Sequence, residues 1–333
     1  MPTVSIVVPN YNHSRFLPKR IESVLRQTYQ DFELVLLDDC STDESRTILS
    51  RYASNPRVRL EFNKVNSGTS FKQWNTGVRM ARGEYVWIAE SDDYADEPLL
   101  ERLVGILESD SKISYAYCRS WRVNGDGEVD GLISAIGPPD LARWSSDYVA
   151  DGKEECRLYF VRGNVVPNAS AVVFRKSAYD AAGGADEHLR VCGDWKLWAA
   201  MALQGKVAYV SEPLNYYRFH GATVRAKSEK DARLLAEAFQ IVNWVMKQVP
   251  AARVIHKRNR AWLADAWVPA LLSSHVPVDV KRAIVRELRY IDPFPFSRLA
   301  GPVLLAMWLK IRKHWREIAA HSTSAGEMGG VGR

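Results

Sequence analysis

Tyr85-Val86-Trp87-Ile88-Ala89-Glu90-Ser91-Asp92-Asp93 opens with four strand-forming residues and closes with three carboxylates in four positions. Tyr, Val, Trp and Ile suit a pleated, packed segment. Carboxylates crowded at the end of such a strand are costly unless a cation or a charged ligand meets them. In open α/β sheets the carboxyl end of the strands is also where ligands bind. Two readings stand side by side. One puts a divalent cation on Asp92, with Glu90 beside it, holding a diphosphate. The other is a solvated acidic turn that caps a helix starting near Glu97-Pro98-Leu99.

The preceding sequence shows what that strand belongs to. Residues 4–8, 32–37 and 58–62 are β-branched or alternating runs, each followed by a helical pattern. Leu17, Ile21, Val24 and Leu25 share one helix face, with Ser14 the expected cap. Ser41 and Glu44 form a capping-box pattern before Ile48 and Leu49. Residues 71–81 form the third helix, closed by Arg82-Gly83. Strand and helix thus alternate four times, which predicts an α/β doubly wound, mostly parallel sheet. The turn after the first strand is Pro9-Asn10-Tyr11-Asn12, not the Gly-x-Gly-x-x-Gly of a dinucleotide site, and no Walker A loop occurs. Phosphate charge here would have to be met by a metal and side chains.

Further on, residues 113–117 and 172–175 are strand-like, and the turn-rich stretch 119–161 is expected as an insertion forming a lid or wall. Gly193-Asp194-Trp195 opens a helix with Leu197, Met201 and Leu203 inward. By itself Asp194 is a first-turn carboxylate favoured by the helix dipole, and Trp198 is a core residue. A strand over 206–210 runs on to Tyr216-Tyr217-Arg218-Phe219-His220, where a lone histidine is ordinarily structural.

The 333 residues are 47% hydrophobic and 25% charged, as in ordinary globular chains. Cys40, Cys118, Cys156 and Cys192 lack CxxC spacing, which speaks against zinc and disulfide scaffolds. No basic segment followed by an apolar one opens the sequence. The apolar run 299–309 is much shorter than the roughly 20 residues a spanning helix needs. A cytoplasmic protein is therefore expected. The net charge of +6 is uneven: from Arg225 onward, 19 basic residues face 9 acidic ones. Helices are expected at 231–248, 252–272, 278–290 and 303–318, then a disordered tail over 321–333. Their basic character points to an anionic surface, a membrane face or acidic polymer, and not to nucleic acid. The apolar block could equally serve a homodimer.

Several motifs stand in fixed order: Val4-Ser5-Ile6-Val7-Val8-Pro9-Asn10-Tyr11-Asn12, Asp38-Asp39-Cys40-Ser41-Thr42-Asp43, Asn66-x-Gly68 with Asn75-x-Gly77, Arg82-Gly83-Glu84-Tyr85, Glu90-Ser91-Asp92-Asp93, Gly193-Asp194-Trp195 and Tyr216-Tyr217-Arg218-x-His220. Together, over about residues 3–224, they resemble the family-2 inverting glycosyltransferases with the GT-A fold. The resemblance implies a Rossmann-like GT-A catalytic domain over 1–224, with a nucleotide-sugar half (about 1–118) and an acceptor half (about 119–224). A basic helical extension over 225–320 and the tail would follow. It further implies that Pro9, Asn10, Tyr11 and Asp39 hold base and ribose, with Asn66 and Gly68 on a neighbouring loop. Ser91 and Asp92 would lie at the diphosphate. Asp92, Glu90 and His220 would hold Mg²⁺ or Mn²⁺, and Asp194 would be the general base. Asp93, Asn168 and Trp195 would face the sugar or acceptor.

The implied reaction moves a sugar from a nucleotide-diphosphate sugar to a glycan or lipid-linked acceptor, as in cell-surface polysaccharide synthesis, at the inner membrane face. Two departures stand out. Glu90 replaces a more usual Asp, and Gly193 replaces the acidic residue that commonly precedes the base. A non-catalytic nucleotide- or glycan-binding module is the alternative. A sugar-phosphate nucleotidyltransferase would want a Gly-rich basic loop after the first strand, which this chain lacks.

Overall fold

The computed structural model describes residues 1–133, 141–220, 231–258 and 261–291. Its first half follows the alternating pattern. Strands β1 (Val4–Asn10), β2 (Phe32–Asp38), β3 (Val58–Phe62) and β4 (Tyr85–Ile88) lie parallel in the order β3-β2-β1-β4. Helices α1 (Leu17–Leu25), α2 (Ser45–Ser50) and α3 (Ser70–Met80) are the crossovers. β1 and β2 are buried at every position, as a central parallel strand covered on both faces must be. Val4, Ile6 and Val8 point to one core with Leu17, Ile21 and Leu34. Val7 points to the other with Leu37, Phe71 and Trp74. That is the period of two expected of a strand.

The second half changes direction. β5 (Tyr94–Ala95), α4 (Leu99–Ser109), β6 (Ile113–Val123), β7 (Val129–Leu132), β8 (Tyr148–Asp151), α5 (Gly152–Glu155), β9 (Val172–Arg175), α6 (Lys176–Ala181), α7 (Gly193–Ala202) and β10 (Lys206–Arg218) follow in turn. The sheet continues β4-β9-β6-β10-β5, with β7 on β6 and β8 on β10. β9 is antiparallel to both β4 and β6, whereas β6 and β10 are parallel. The parallel sheet expected from the sequence is thus β1–β4, joined through one reversed strand to a mixed remainder. Within the stretch expected as an insertion, β6 runs on through Val123, and β7 and β8 add to the sheet.

Neither expected serine cap forms. α1 begins after Phe16 and α2 after Glu44, both without a side-chain cap. Ser41 instead binds the turn after β1, accepting from Asn10 Nδ2 (3.2 Å) and Asn12 N (2.9 Å). The C-terminal part provides α8 (Arg233–Gln248), α9 (Ala252–Arg258), α10 (Ala261–Leu272) and α11 (Val278–Ile291). The expected helix at 303–318 and the tail lie outside the described residues. Among those described, no helix is long and apolar enough to cross a membrane.

Candidate functional site

The strand order reverses beside β1: the chain steps to β2 and β3 on one side and to β4 on the other. Such a switch point leaves a crevice outside the carboxyl ends of the strands. The turn after β1, the pair Asp38-Asp39 after β2 and the acidic cluster after β4 all end there.

On the β2 side the polar groups are locked together. Asn10 Nδ2 donates to Asp38 Oδ2 at 3.0 Å. Burial pushes Asp38 up, but hydrogen bonds from Arg46, Ser41 and Asn10 outweigh it and hold the carboxyl below its usual range. Asp39 is 4% exposed. Its Oδ1 accepts from Asn63 Nδ2 (2.7 Å), Ser67 N (2.8 Å) and Gln73 Nε2 (2.9 Å), and its Oδ2 from Ser67 Oγ (2.8 Å). Asn66 Nδ2 donates to the Asp39 carbonyl, and Asn66 Oδ1 accepts from Gly68 N. Gly68 has φ +86°, a conformation glycine adopts without cost. Asp39, Asn66 and Gly68 thus form one knot. Pro9 lies inside the β1 ladder opposite Leu37, while Tyr11 is 46% exposed at the rim.

The acidic cluster after β4 divides three ways. Asp92 Oδ2 lies 3.0 Å from His220 Nε2, and Asp92, His13 and His220 offer ligand atoms within 4.8 Å of one another. One carboxylate oxygen and two imidazole nitrogens fit a divalent cation. Burial would raise Asp92, yet the hydrogen bond from His220 and the charges of both histidines carry it below its ordinary value. Glu90 is turned elsewhere: its Oε1 accepts from Trp74 Nε1 at 2.6 Å, and it lies outside that ligand group. Burial, then the Asp92 charge, pushes Glu90 up to about 8.

Asp93 is 1% exposed. It accepts from Asn168 Nδ2 (2.8 Å), Ser170 Oγ (2.7 Å) and Arg218 N (2.9 Å), and burial raises it to about 6. Arg20 lies fully buried beneath the cluster, its Nε donating to the Glu90 carbonyl at 2.8 Å. Arg218 Nε donates to the Asp92 carbonyl at 2.7 Å. Ser91 Oγ meets His13 Nδ1 at 2.8 Å.

Asp194 sits in the first turn of α7, where Asn164 Nδ2 donates to its Oδ2 at 2.9 Å. The same segment reaches the acidic cluster a few residues on: Asn168 and Ser170 bond Asp93, and Ser170 Oγ accepts from Glu90 N at 3.0 Å. Four residues of chain span at most ~14 Å, so Asp194 and the cluster after β4 share one end of the sheet. α3 ties in the third corner. Gln73 bonds Asp39, Trp74 bonds Glu90, and the Phe71 ring lies against Gly193.

Trp195 is 5% exposed and its Nε1 donates to the Phe160 carbonyl at 3.1 Å. Asn168 and Asp93 are buried against each other beside the acidic cluster. Sequence reasoning missed His13, Arg20, Gln73, Trp74, Asn164 and Ser170. Of these only His13, next to the Pro9–Asn12 turn, carried a signal: a ligand-type side chain at a strand's carboxyl end.

Residues 5–160 match the family model described as glycosyl transferase family 2. An uncharacterized glycosyltransferase of Nostoc sp. is 26% identical over 242 residues, 69% of this chain and 70% of the relative. Several other curated relatives are matched over less than half of their own length. Among solved structures, Staphylococcus aureus TarS 1-349 in complex with UDP-GlcNAc superposes with TM-score 0.66 at 15% identity, covering 88% of this chain and 82% of that one. The Pyrobaculum calidifontis mannosyltransferase PcManGT, in complex with GDP-Man and Mn²⁺, superposes with TM-score 0.54 at 18% identity, over 93% and 86%.

Proposed function

We propose that this chain, whose residues 5–160 match glycosyl transferase family 2 and whose fold is GT-A, is a glycosyltransferase of that family that carries out an inverting, cation-assisted transfer of a sugar from a nucleoside-diphosphate sugar to a hydroxyl of a glycan or lipid-linked acceptor. The observation that carries this reading is the convergence of Asp39, Asp92 and Asp194 on one end of the sheet, through α3 and the 164–170 segment.

In this reading the exposed Tyr11 face and the Asp39–Gly68 knot frame the nucleoside. Asp92 and His220 would hold Mg²⁺ or Mn²⁺. When bound, the cation supplies positive charge to the leaving diphosphate. Glu90 accepts from Trp74 Nε1 and stays outside that ligand group. Asp194, held by Asn164, accepts the proton of the attacking hydroxyl as the new glycosidic bond forms on the face opposite the leaving group. A general base of this kind contributes roughly 10²–10⁴-fold in rate. The acceptor class is that of cell-surface polysaccharide synthesis, and the basic C-terminal helices would hold the enzyme at an anionic membrane face.

Asp194→Asn tests the assignment. It keeps the size of the side chain and one of its two accepted hydrogen bonds, from Asn164 Nδ2 or Trp195 N, and removes the base. Transfer should fall by at least about 10²-fold while nucleotide binding, followed by calorimetry, stays within twofold. Full activity in Asp194→Asn sinks the base assignment.

A further inference from the structure

His13 follows the Pro9-Asn10-Tyr11-Asn12 turn and belongs to none of the motifs on which the family resemblance rests. It nonetheless offers a ring nitrogen within 4.8 Å of both the Asp92 carboxylate and the His220 imidazole. Its Nδ1 is engaged by Ser91 Oγ at 2.8 Å, which leaves Nε2 as the ligating nitrogen. An imidazole whose second nitrogen is held by a neighbour has the arrangement of a metal ligand with its orienting partner. The ring is steadied by edge contacts with Phe16 (5.8 Å) and His220 (5.7 Å).

We propose that His13 is a third protein ligand of the cation site, with Asp92 and His220, and that the site is therefore built for a first-row transition cation such as Mn²⁺ in preference to Mg²⁺. Mg²⁺ favours oxygen donors and keeps its waters, whereas two imidazole nitrogens favour first-row transition cations, with Mn²⁺ the weakest-bound of them. The same geometry gives the cation a second task. A cation there would add one more link between the turn after β1, the end of β4 and His220, two residues beyond β10, to the hydrogen bonds that already hold that turn. The purpose of the cation rests on the nucleotide-sugar reading above, but the ligation does not require it.

The test is Mn²⁺ binding to the full chain without nucleotide. Free Mn²⁺ is followed by electron paramagnetic resonance, and the bound nitrogens are counted by spin-echo modulation. Wild type should show two imidazole nitrogens, and His13→Ala one, with Mn²⁺ affinity lower by about tenfold or more. Equimolar Mg²⁺ should leave the wild-type signal in place. His13→Gln, which retains a polar group for Ser91, should behave as His13→Ala does. A single nitrogen in wild type, or unchanged affinity in both variants, overturns the proposal even if sugar transfer is normal. Two nitrogens in a chain that transfers no sugar would uphold His13 and refute the reading of function instead.

Discussion

Glu90 and Asp92 stand two positions apart and are driven in opposite directions. Glu90 is raised from 4.5 to about 8 by burial and by the Asp92 charge; Asp92 is held down by its histidine partners. Between those values the unfolded chain has released the Glu90 proton while the folded one retains it. The folded state therefore binds more protons, and stability falls as pH rises through this window, by about 1.4 kcal/mol per pH unit at most. Without divalent cations, the thermal midpoint should drop between pH 5 and pH 8. Glu90→Gln, which still accepts from Trp74 Nε1, should flatten that drop. Melts of both proteins in EDTA at the two pH values check it, and parallel slopes would refute it. Only part of this was open to sequence reasoning. Asp92 stood out as a carboxylate at a strand end, whereas Asp39 and Asp194 were singled out only by the family resemblance. The partners that set their properties, Gln73, Trp74, Asn164 and Ser170, are common polar or aromatic residues with no local signal. Trp195 and Asn168 show the converse: sequence position says nothing about burial, and both side chains are buried.

Helix α3 holds the crevice together, and it does so by close approach. A Cβ on Gly77 would lie 2.2 Å from Val7 Cγ1, so α3 rests directly on β1. A Cβ on Gly193 would lie 2.5 Å from the Phe71 ring, so the start of α7 abuts α3 with no room for a side chain. This accounts for glycine at position 193. Gly193→Ala should destabilise by about 1–3 kcal/mol through overpacking, and Phe71→Leu in the same chain should recover part of that loss. Urea denaturation of the two single variants and the double variant measures the coupling; strict additivity would mean the contact is not the cause. The first four strands and three helices were legible because hydrophobic period and turn chemistry are local. β9 was not, since Val172–Arg175 has the same composition whether it runs with or against its neighbours. The caps failed because Ser41 is recruited by the turn after β1, a contact 31 residues back along the chain.

Charge divides the molecule as sharply as the fold does, with the surplus of Lys and Arg lying beyond residue 224. Helix α11 shows what that surplus can do. Val280, Ile284, Leu288 and Ile291 are buried, and the helix packs on α8. The other side carries Lys281, Arg282, Arg286 and Arg289 around an open groove of about 560 Å³ with Val278 and Tyr290. Because the buried stripe is already covered and only Val278 and Tyr290 stand exposed beside the basic residues, attachment of α11 to a lipid surface would rest mainly on charge, at about 1 kcal/mol per basic residue near an anionic leaflet. Screening shortens the reach of such charges to roughly 8 Å at physiological ionic strength. The chain should therefore sediment with vesicles containing phosphatidylserine at low salt, not with neutral ones, and leave them as salt rises. The combined variant Lys281→Glu, Arg282→Glu, Arg286→Glu and Arg289→Glu should abolish sedimentation, leaving α8 packing and thermal midpoint near wild type. Binding that survives both salt and charge reversal would place the lipid contact on apolar surface elsewhere, and α11 would then be a solvated face.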